Sequence, residues 1–267
     1  MTTTTVQLTA KDGTTLAVDS VGQGDTTLIL IGGAFNDRST VAGLGAELAG
    51  QYTVLSYDRR GRGASDDKAS DYAVANEVDD LAAVISHAGG HAGVFGHSSG
   101  AVLALEGAMA GLPIDRLAVY EPPYTADESL PRPSAEVYER LKDLVAAGDK
   151  GGAAELFLGE CVGVPEEGLT MMKEGPAWGF LTDKAPSLPY DVLLSKPWEL
   201  LPAERLAALS VPLLAVYGDR TALGLAAATR ALATTVPGAE LVLIEGEDHA
   251  VLQRPAVLAP ILAQFFG

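Results

Sequence analysis

The sequence predicts an α/β protein: a mostly parallel, twisted sheet with an N-terminal hairpin, helices on both faces and a helical lid insertion. Three observations lead there. Apolar runs of strand length alternate with Ala- and Leu-rich stretches of helical length, the joining loops are short, and one long proline- and glycine-broken segment, residues 122–211, interrupts the rhythm. Alternation of this kind requires a parallel sheet, because a crossover helix returns the chain to the same sheet edge each time.

The elements follow in order. Residues 6–8 and 14–18 are β-type runs around Asp12-Gly13, a pair suited to the positive φ of a hairpin turn. Buried strands are expected at residues 28–31, 53–57, 93–95, 116–120, 213–217 and 241–244, each an apolar run of the kind a doubly covered strand shows. Helices are expected at residues 41–49, 76–88, 99–110, 223–234 and 251–265. The core therefore spans residues 1–121 and 212–267, and residues 122–211 form a cap, with helical pieces at 134–147 and 153–158.

The cap holds Tyr124, Phe157, Met171, Met172, Trp178, Phe180, Tyr190 and Trp198. These residues have two uses, a small core for the cap itself or the wall of an apolar pocket, and packing is the default for any one of them. Phe35, Tyr124, Trp178 and Phe180 are the candidate pocket residues, for a small-molecule substrate with an apolar portion.

Composition bounds the function classes. The chain has 267 residues, 48% hydrophobic and 20% charged, enough to bury a full core. Its 18 basic and 35 acidic residues give a formal charge of −17, which repels nucleic acid and anionic membrane surfaces. A single cysteine, Cys161, leaves neither an internal disulfide framework nor a multi-cysteine metal site. The threonine-rich first residues carry no basic segment or long apolar run, so the expectation is a cytoplasmic protein without a signal peptide or membrane span.

Chemistry enters at Gly96-His97-Ser98-Ser99-Gly100. The G-x-S-x-G pattern is weak alone, but here an apolar strand leads into it and an Ala/Leu-rich helix leads out. A serine lifted out of a sharp strand-to-helix turn needs small neighbours two residues to each side, and only Ser98 has them. Ser98 is thus the candidate nucleophile, against the plainer reading of a helix N-cap. The Ser99 N–H, at the helix start, is placed to stabilise an oxyanion, and a second donor is expected from Gly32-Gly33-Ala34, at the Ala34 N–H.

A base poised near neutral pH must be one of His87, His91, His97 and His249. His249 follows the last predicted strand, at the same carboxyl edge of the sheet as Ser98. His87 and His91 fall at the opposite edge, and His97 lies inside the turn with a structural role.

With these residues in hand, the chain resembles the α/β-hydrolase fold family along its whole length. Asp58-Arg59-Arg60-Gly61-Arg62-Gly63-Ala64-Ser65 is similar to that family's D-x-R-G-x-G-x-S segment, which is generally structural. Gly32-Gly33-Ala34 and Tyr120-Glu121-Pro122-Pro123 resemble a bacterial, esterase- and lactonase-like group within it. The resemblance implies a Ser-acid-His triad, but the position where many members carry the aspartate holds Thr221. Two replacements keep the chain order: Glu121, at the end of a rigid strand, is preferred, and Asp219 is the alternative acid.

The resemblance implies hydrolysis of a carboxylic ester or lactone through an acyl-enzyme, with no metal or organic cofactor. The serine argues against haloalkane dehalogenase and epoxide hydrolase chemistry, which uses an aspartate nucleophile. Carbon–carbon bond hydrolases, perhydrolases and biosynthetic cyclases share the serine and stay open, as does a ligand-binding protein on the same scaffold.

Overall fold

The computed structural model describes residues 2–69 and 71–267. Its eight-stranded sheet runs in the order β1-β2-β4-β3-β5-β6-β7-β8, where β1 is Thr4–Thr9, β2 Thr15–Val21, β3 Thr27–Ile31, β4 Thr53–Tyr57, β5 Ala92–His97, β6 Ile114–Tyr120, β7 Leu213–Gly218 and β8 Glu240–Ile244. The hairpin β1-β2 is antiparallel, β2 is antiparallel to β4, and every later pairing is parallel.

Period-two alternation splits the sheet cleanly. Ile29, Ile31, Val94, Leu117, Val119, Leu213 and Ala215 face one core, completed by helices α2 (Val74–His87), α3 (Ser99–Met109) and α10 (Leu223–Thr235). Leu28, Leu30, Phe95, Ala118, Tyr120, Leu214 and Val216 face the other, completed by α1 (Arg38–Leu48) and α11 (Pro255–Phe266). Both faces are covered, which is why the central strands read as unbroken apolar runs.

All expected strands and core helices are present, with ends shifted by a few residues. The last helix starts at Pro255 rather than Val251, because a proline suits the first turn of a helix and a short 3₁₀ turn, Val251–Gln253, precedes it.

Between β6 and β7 the chain makes a helical excursion: α4 (Val137–Ala146), α5 (Lys150–Leu156) running into a π-helical turn (Phe157–Val162), α6 (Glu166–Glu174), α7 (Trp178–Lys184), α8 (Leu188–Ser195) and α9 (Ala203–Ala207). It has a small core of its own, formed by Val137, Leu141, Ala153, Ala154, Phe157, Leu188 and Val192, and Phe35 from the loop after β3 joins it. The two passages of chain at its stem are stapled together. Thr125 bridges Leu200, Leu201 N donates to Thr125 O, and the Thr125 hydroxyl donates to Pro197 O at 2.6 Å.

The strand order changes direction between β3 and β5: β4 lies to one side of β3 and the chain then continues on the other. At such a switch point the two carboxyl-end loops diverge and leave a crevice. The loops that flank it here are Gly32-Gly33-Ala34-Phe35 and the turn at Ser98.

Candidate active site

Three of the four non-glycine residues with positive φ among the described residues sit at this edge: Phe35 at 57°, Ser98 at 56° and Glu121 at 48°. Such backbone costs about 1–3 kcal/mol per residue, so its clustering marks a place where neighbours impose the conformation. At Ser98, with ψ at −126°, the side chain makes no capping bond to α3, so the hydroxyl is not spent as an N-cap.

The glycines of the turn are explained by approach distances. A Cβ on Gly96 would lie 2.4 Å from Gly100 O, and one on Gly100 would lie 2.6 Å from Gly32 O. The turn is therefore packed backbone to backbone against the loop after β3. A Cβ on Gly33 would lie 2.6 Å from Ser98 Cβ and 3.2 Å from Ser98 Oγ. The Gly33–Ala34 peptide thus borders the serine hydroxyl, and Ser99 begins α3 on its other side.

Glu121, the first residue after β6, is fully buried. Its Oε2 lies 2.6 Å from His249 Nδ1 and also accepts the Thr221 hydroxyl at 2.8 Å; its Oε1 accepts the Gly218 N–H at 2.9 Å. The positive φ turns this carboxylate across the end of β7 to reach the histidine. Asp219 is exposed and elsewhere: its Oδ1 accepts the Gly246 N–H at 2.7 Å and braces the loop that carries His249. Of the two candidate acids, then, the structure brings Glu121 and not Asp219 to His249.

The His249 loop is fixed from several sides. The Tyr120 hydroxyl donates to Asp248 O at 2.7 Å, Arg220 N donates to Glu247 O, and Arg254 pairs with Glu247 and Asp248. His97 donates from Nε2 to His249 O at 2.8 Å, and its ring lies 4.7 Å from the His249 ring. Burial, helped by the neighbouring His249, pushes His97 down to about 3, so it is neutral and its proton sits on Nε2. Among the described residues no hydrogen bond joins His249 to Ser98 Oγ. Ser98 and His249 both keep partial exposure.

The expected pocket residues divide. Phe35 is buried and packs edge-on against Phe157 with centroids 5.4 Å apart, next to Ala34. Trp178 is half-buried in the core of the helical excursion. Tyr124 packs instead into the core cluster that contains Leu194 and Leu206, and Phe180 is 49% exposed with the Lys184 ammonium 4.5 Å above its ring. Packing, the default for these aromatics, describes Tyr124 and the surface describes Phe180. His87 and His91 are exposed at the far edge.

Beneath the serine lies a buried ionic cluster that the sequence reading did not assemble. Arg59 makes a two-pronged pair with Glu77 at 2.5 and 2.6 Å; Arg60 does the same with Asp80 at 2.7 Å. Asp191, from α8, accepts at Oδ1 from Arg59 at 2.9 Å, Arg62 at 2.8 Å and the Ser99 hydroxyl at 2.6 Å. Burial pushes the Asp191 carboxyl up, but the Arg62 and Arg59 guanidiniums outweigh it and hold the group below the usual carboxylate range. Only one local signal pointed to Asp191: a lone carboxylate in the apolar helix Leu188-Pro189-Tyr190-Asp191-Val192-Leu193-Leu194. Thr221 was visible only as the residue standing where an acid was expected.

The comparisons with known proteins agree with this architecture. A crystal structure of an alpha/beta hydrolase from Sphaerobacter thermophilus is 41% identical, superposes with a TM-score of 0.91, and covers 98% of this chain and 100% of its own. A 2-(acetamidomethylene)succinate hydrolase from Mesorhizobium japonicum is 28% identical over 251 residues, 89% of this chain and 86% of the relative. A thermophilic esterase from Thermogutta terrifontis, 22% identical with a TM-score of 0.74 over 98% of this chain and 97% of its own, shares the fold. A family model described as "Alpha/beta hydrolase family" matches residues 28–261, and with that the chain belongs to the alpha/beta hydrolase family.

Proposed function

We propose that the protein hydrolyses a carboxylic ester or lactone through an acyl-enzyme on Ser98, with His249 as base, Glu121 as the acid that orients it, and the Ala34 and Ser99 N–H groups as oxyanion donors. The observation that carries this reading is the buried Glu121 carboxylate 2.6 Å from His249 Nδ1, at the same sheet edge as a serine held at a φ of 56°. The carboxylate keeps the ring proton on Nδ1, which leaves the Nε2 lone pair free to accept a proton.

Water is the one further reactant. Ser98 Oγ bonds to the carbonyl carbon as its proton passes to His249 Nε2, and the carbonyl oxygen takes the negative charge toward Ala34 N and Ser99 N. The carbon–oxygen bond to the alcohol breaks, and the departing oxygen receives the proton from His249. Water then repeats the sequence in place of Ser98 and frees the carboxylic acid.

The test is labelling with a fluorophosphonate probe together with a panel of p-nitrophenyl esters and lactones of graded acyl length. The 28% identical relative is named for a succinate derivative, so the panel includes carboxylate-bearing members. Covalent label on Ser98 and turnover abolished in Ser98→Ala are expected. A folded protein that labels at Ser98 but turns over no panel member would overturn ester hydrolysis and favour the carbon–carbon, perhydrolase or cyclase chemistries that share the serine; one that does not label would favour a ligand-binding protein on the same scaffold.

A further inference from the structure

We propose that Asp191 is a positioning residue for the oxyanion hole: a single carboxylate oxygen, delivered by α8 from the helical excursion, holds in place both stretches of backbone that meet the developing charge. The inference rests on the serine-hydrolase reading above and adds a residue to it.

Two short chains of contacts start at Asp191 Oδ1. The first is direct. The Ser99 hydroxyl donates to Oδ1 at 2.6 Å, so the side chain of the residue proposed to supply one oxyanion donor is tied to α8. Ser99 is the first residue of α3, where N–H groups have no partner within the helix, and its own orientation is set by this tether rather than by the helix ladder.

The second chain passes through Arg62. Its Nη2 donates to Asp191 Oδ1 at 2.8 Å, and its Nη1 donates to Gly33 O at 2.8 Å. Gly33 C=O and Ala34 N–H are the two ends of one planar peptide group, so fixing the direction of the oxygen fixes the direction of the N–H. A guanidinium on the oxygen also draws electron density from the amide and makes its N–H a stronger donor. Without Asp191, Arg62 loses its only carboxylate partner within 4 Å among the described residues.

The surroundings make the arrangement specific. Asp191 and Arg59 are nearly fully buried, and Arg62 is 6% exposed. Arg59 and Arg62 face Glu77 and Asp191, two cations against two anions, so removing Asp191 leaves an uncompensated buried charge directly under the site. Helix α8 itself is docked next to Asp191: the Tyr190 ring stacks on Tyr72 with centroids 4.2 Å apart, and its hydroxyl donates to Asp67 at 2.9 Å.

The experiment compares Asp191→Ala, Asp191→Asn, Ser99→Ala and Ser98→Ala on an ester that the parent protein turns over, reading kcat and KM separately together with the affinity of a trifluoromethyl ketone that forms the tetrahedral adduct. A donor group misplaced by an ångström loses on the order of a hundredfold in rate, so Asp191→Ala is expected to lower kcat about 10- to 100-fold with KM within about threefold. Adduct affinity falls by the same factor. Asp191→Asn keeps an oxygen at Oδ1 and recovers most of the loss, and Ser99→Ala, which cuts only the first chain, lowers kcat about 3- to 10-fold.

Unchanged kcat in both Asp191→Ala and Ser99→Ala overturns the proposal, and so does a rise in KM alone, which would make Asp191 a cap or substrate-binding residue. An Asp191→Asn variant no better than Asp191→Ala also overturns it, because the loss would then follow charge and not the tether. If Asp191→Ala does not fold, Ser99→Ala decides by the same split. Undiminished turnover in Ser98→Ala instead removes the serine reading itself, a different failure from an inactive Ser98→Ala beside a fully active Asp191→Ala.

Discussion

Glu121→Gln is the sharpest perturbation of the proposed triad, because the structure dictates which way the new amide must face. Glu121 Oε1 accepts the buried Gly218 N–H, while Oε2 accepts from Thr221 and faces His249 Nδ1. Glutamine has one oxygen and one NH₂ to distribute over these places. With its oxygen on Gly218, the NH₂ faces His249 and forces Nδ1 to act as an acceptor, so the ring proton moves to Nε2 and the base is occupied. The flipped amide sets NH₂ against the Gly218 N–H and leaves a buried donor unpaired, which costs about 1–3 kcal/mol. The wrong tautomer is therefore the favoured one. The expected loss in kcat is about 10³- to 10⁴-fold, equivalent to about 4–5 kcal/mol of transition-state stabilisation. The variant should still fold, since the Gly218 bond survives and a buried charge is removed. The assay is kcat on the best panel ester, with thermal unfolding as the control. A folded Glu121→Gln within tenfold of the parent would refute the assignment of Glu121.

Further expectations follow from the same geometry. Thr221→Val removes one of the donors to Glu121 Oε2 and should lower kcat about 3- to 10-fold, with Thr221→Ser restoring it; kinetics of the three proteins check this. Ser98→Gly relieves the positive φ that Ser98→Ala retains, and should be about 1 kcal/mol more stable than the alanine variant in urea unfolding; equal stability would mean the turn carries no strain. His97 is held neutral in the fold down to about 3, against an ordinary value of 6.5, so the unfolded chain binds the extra proton across that window and stability falls as pH drops through it. Between pH 6.5 and 5 the His97 contribution to that fall is between about 1 and 2 kcal/mol, because the unfolded imidazole is only half protonated at the upper end. In His97→Gln, whose amide still reaches His249 O, the pH dependence over that range should flatten, as measured by denaturant unfolding at the two pH values.

The sheet was readable in the sequence because strands covered on both sides must be apolar along their length, as Leu28 to Ile31 and Leu213 to Val216 are. Ser98 was readable for a different reason: the glycines two residues to each side form a short pattern along the chain, although only Gly96 is demanded by contacts within the turn and Gly100 answers to the loop after β3. His249 and Glu121 followed from their places at strand ends, where order along the chain maps onto position at one sheet edge. The segment between β6 and β7 was legible only as an interruption. Its short helices pack mainly on one another, and nothing in Tyr124 or Phe180 says that the first enters the sheet core and the second stays at the surface. Asp191 was hidden for a third reason, since its partners lie 92 to 132 positions away and a buried ion pair leaves no periodic trace.

Glu121 is also the residue from which the helical excursion departs, and Pro122 and Pro123 follow at once. Two consecutive rings with fixed φ act as a stiff coupling between the strand and everything outboard of it. Any exchange of this excursion between relatives would therefore need its first junction beyond Pro123; a cut one residue after the strand would hand the orientation of the imidazole to a foreign loop.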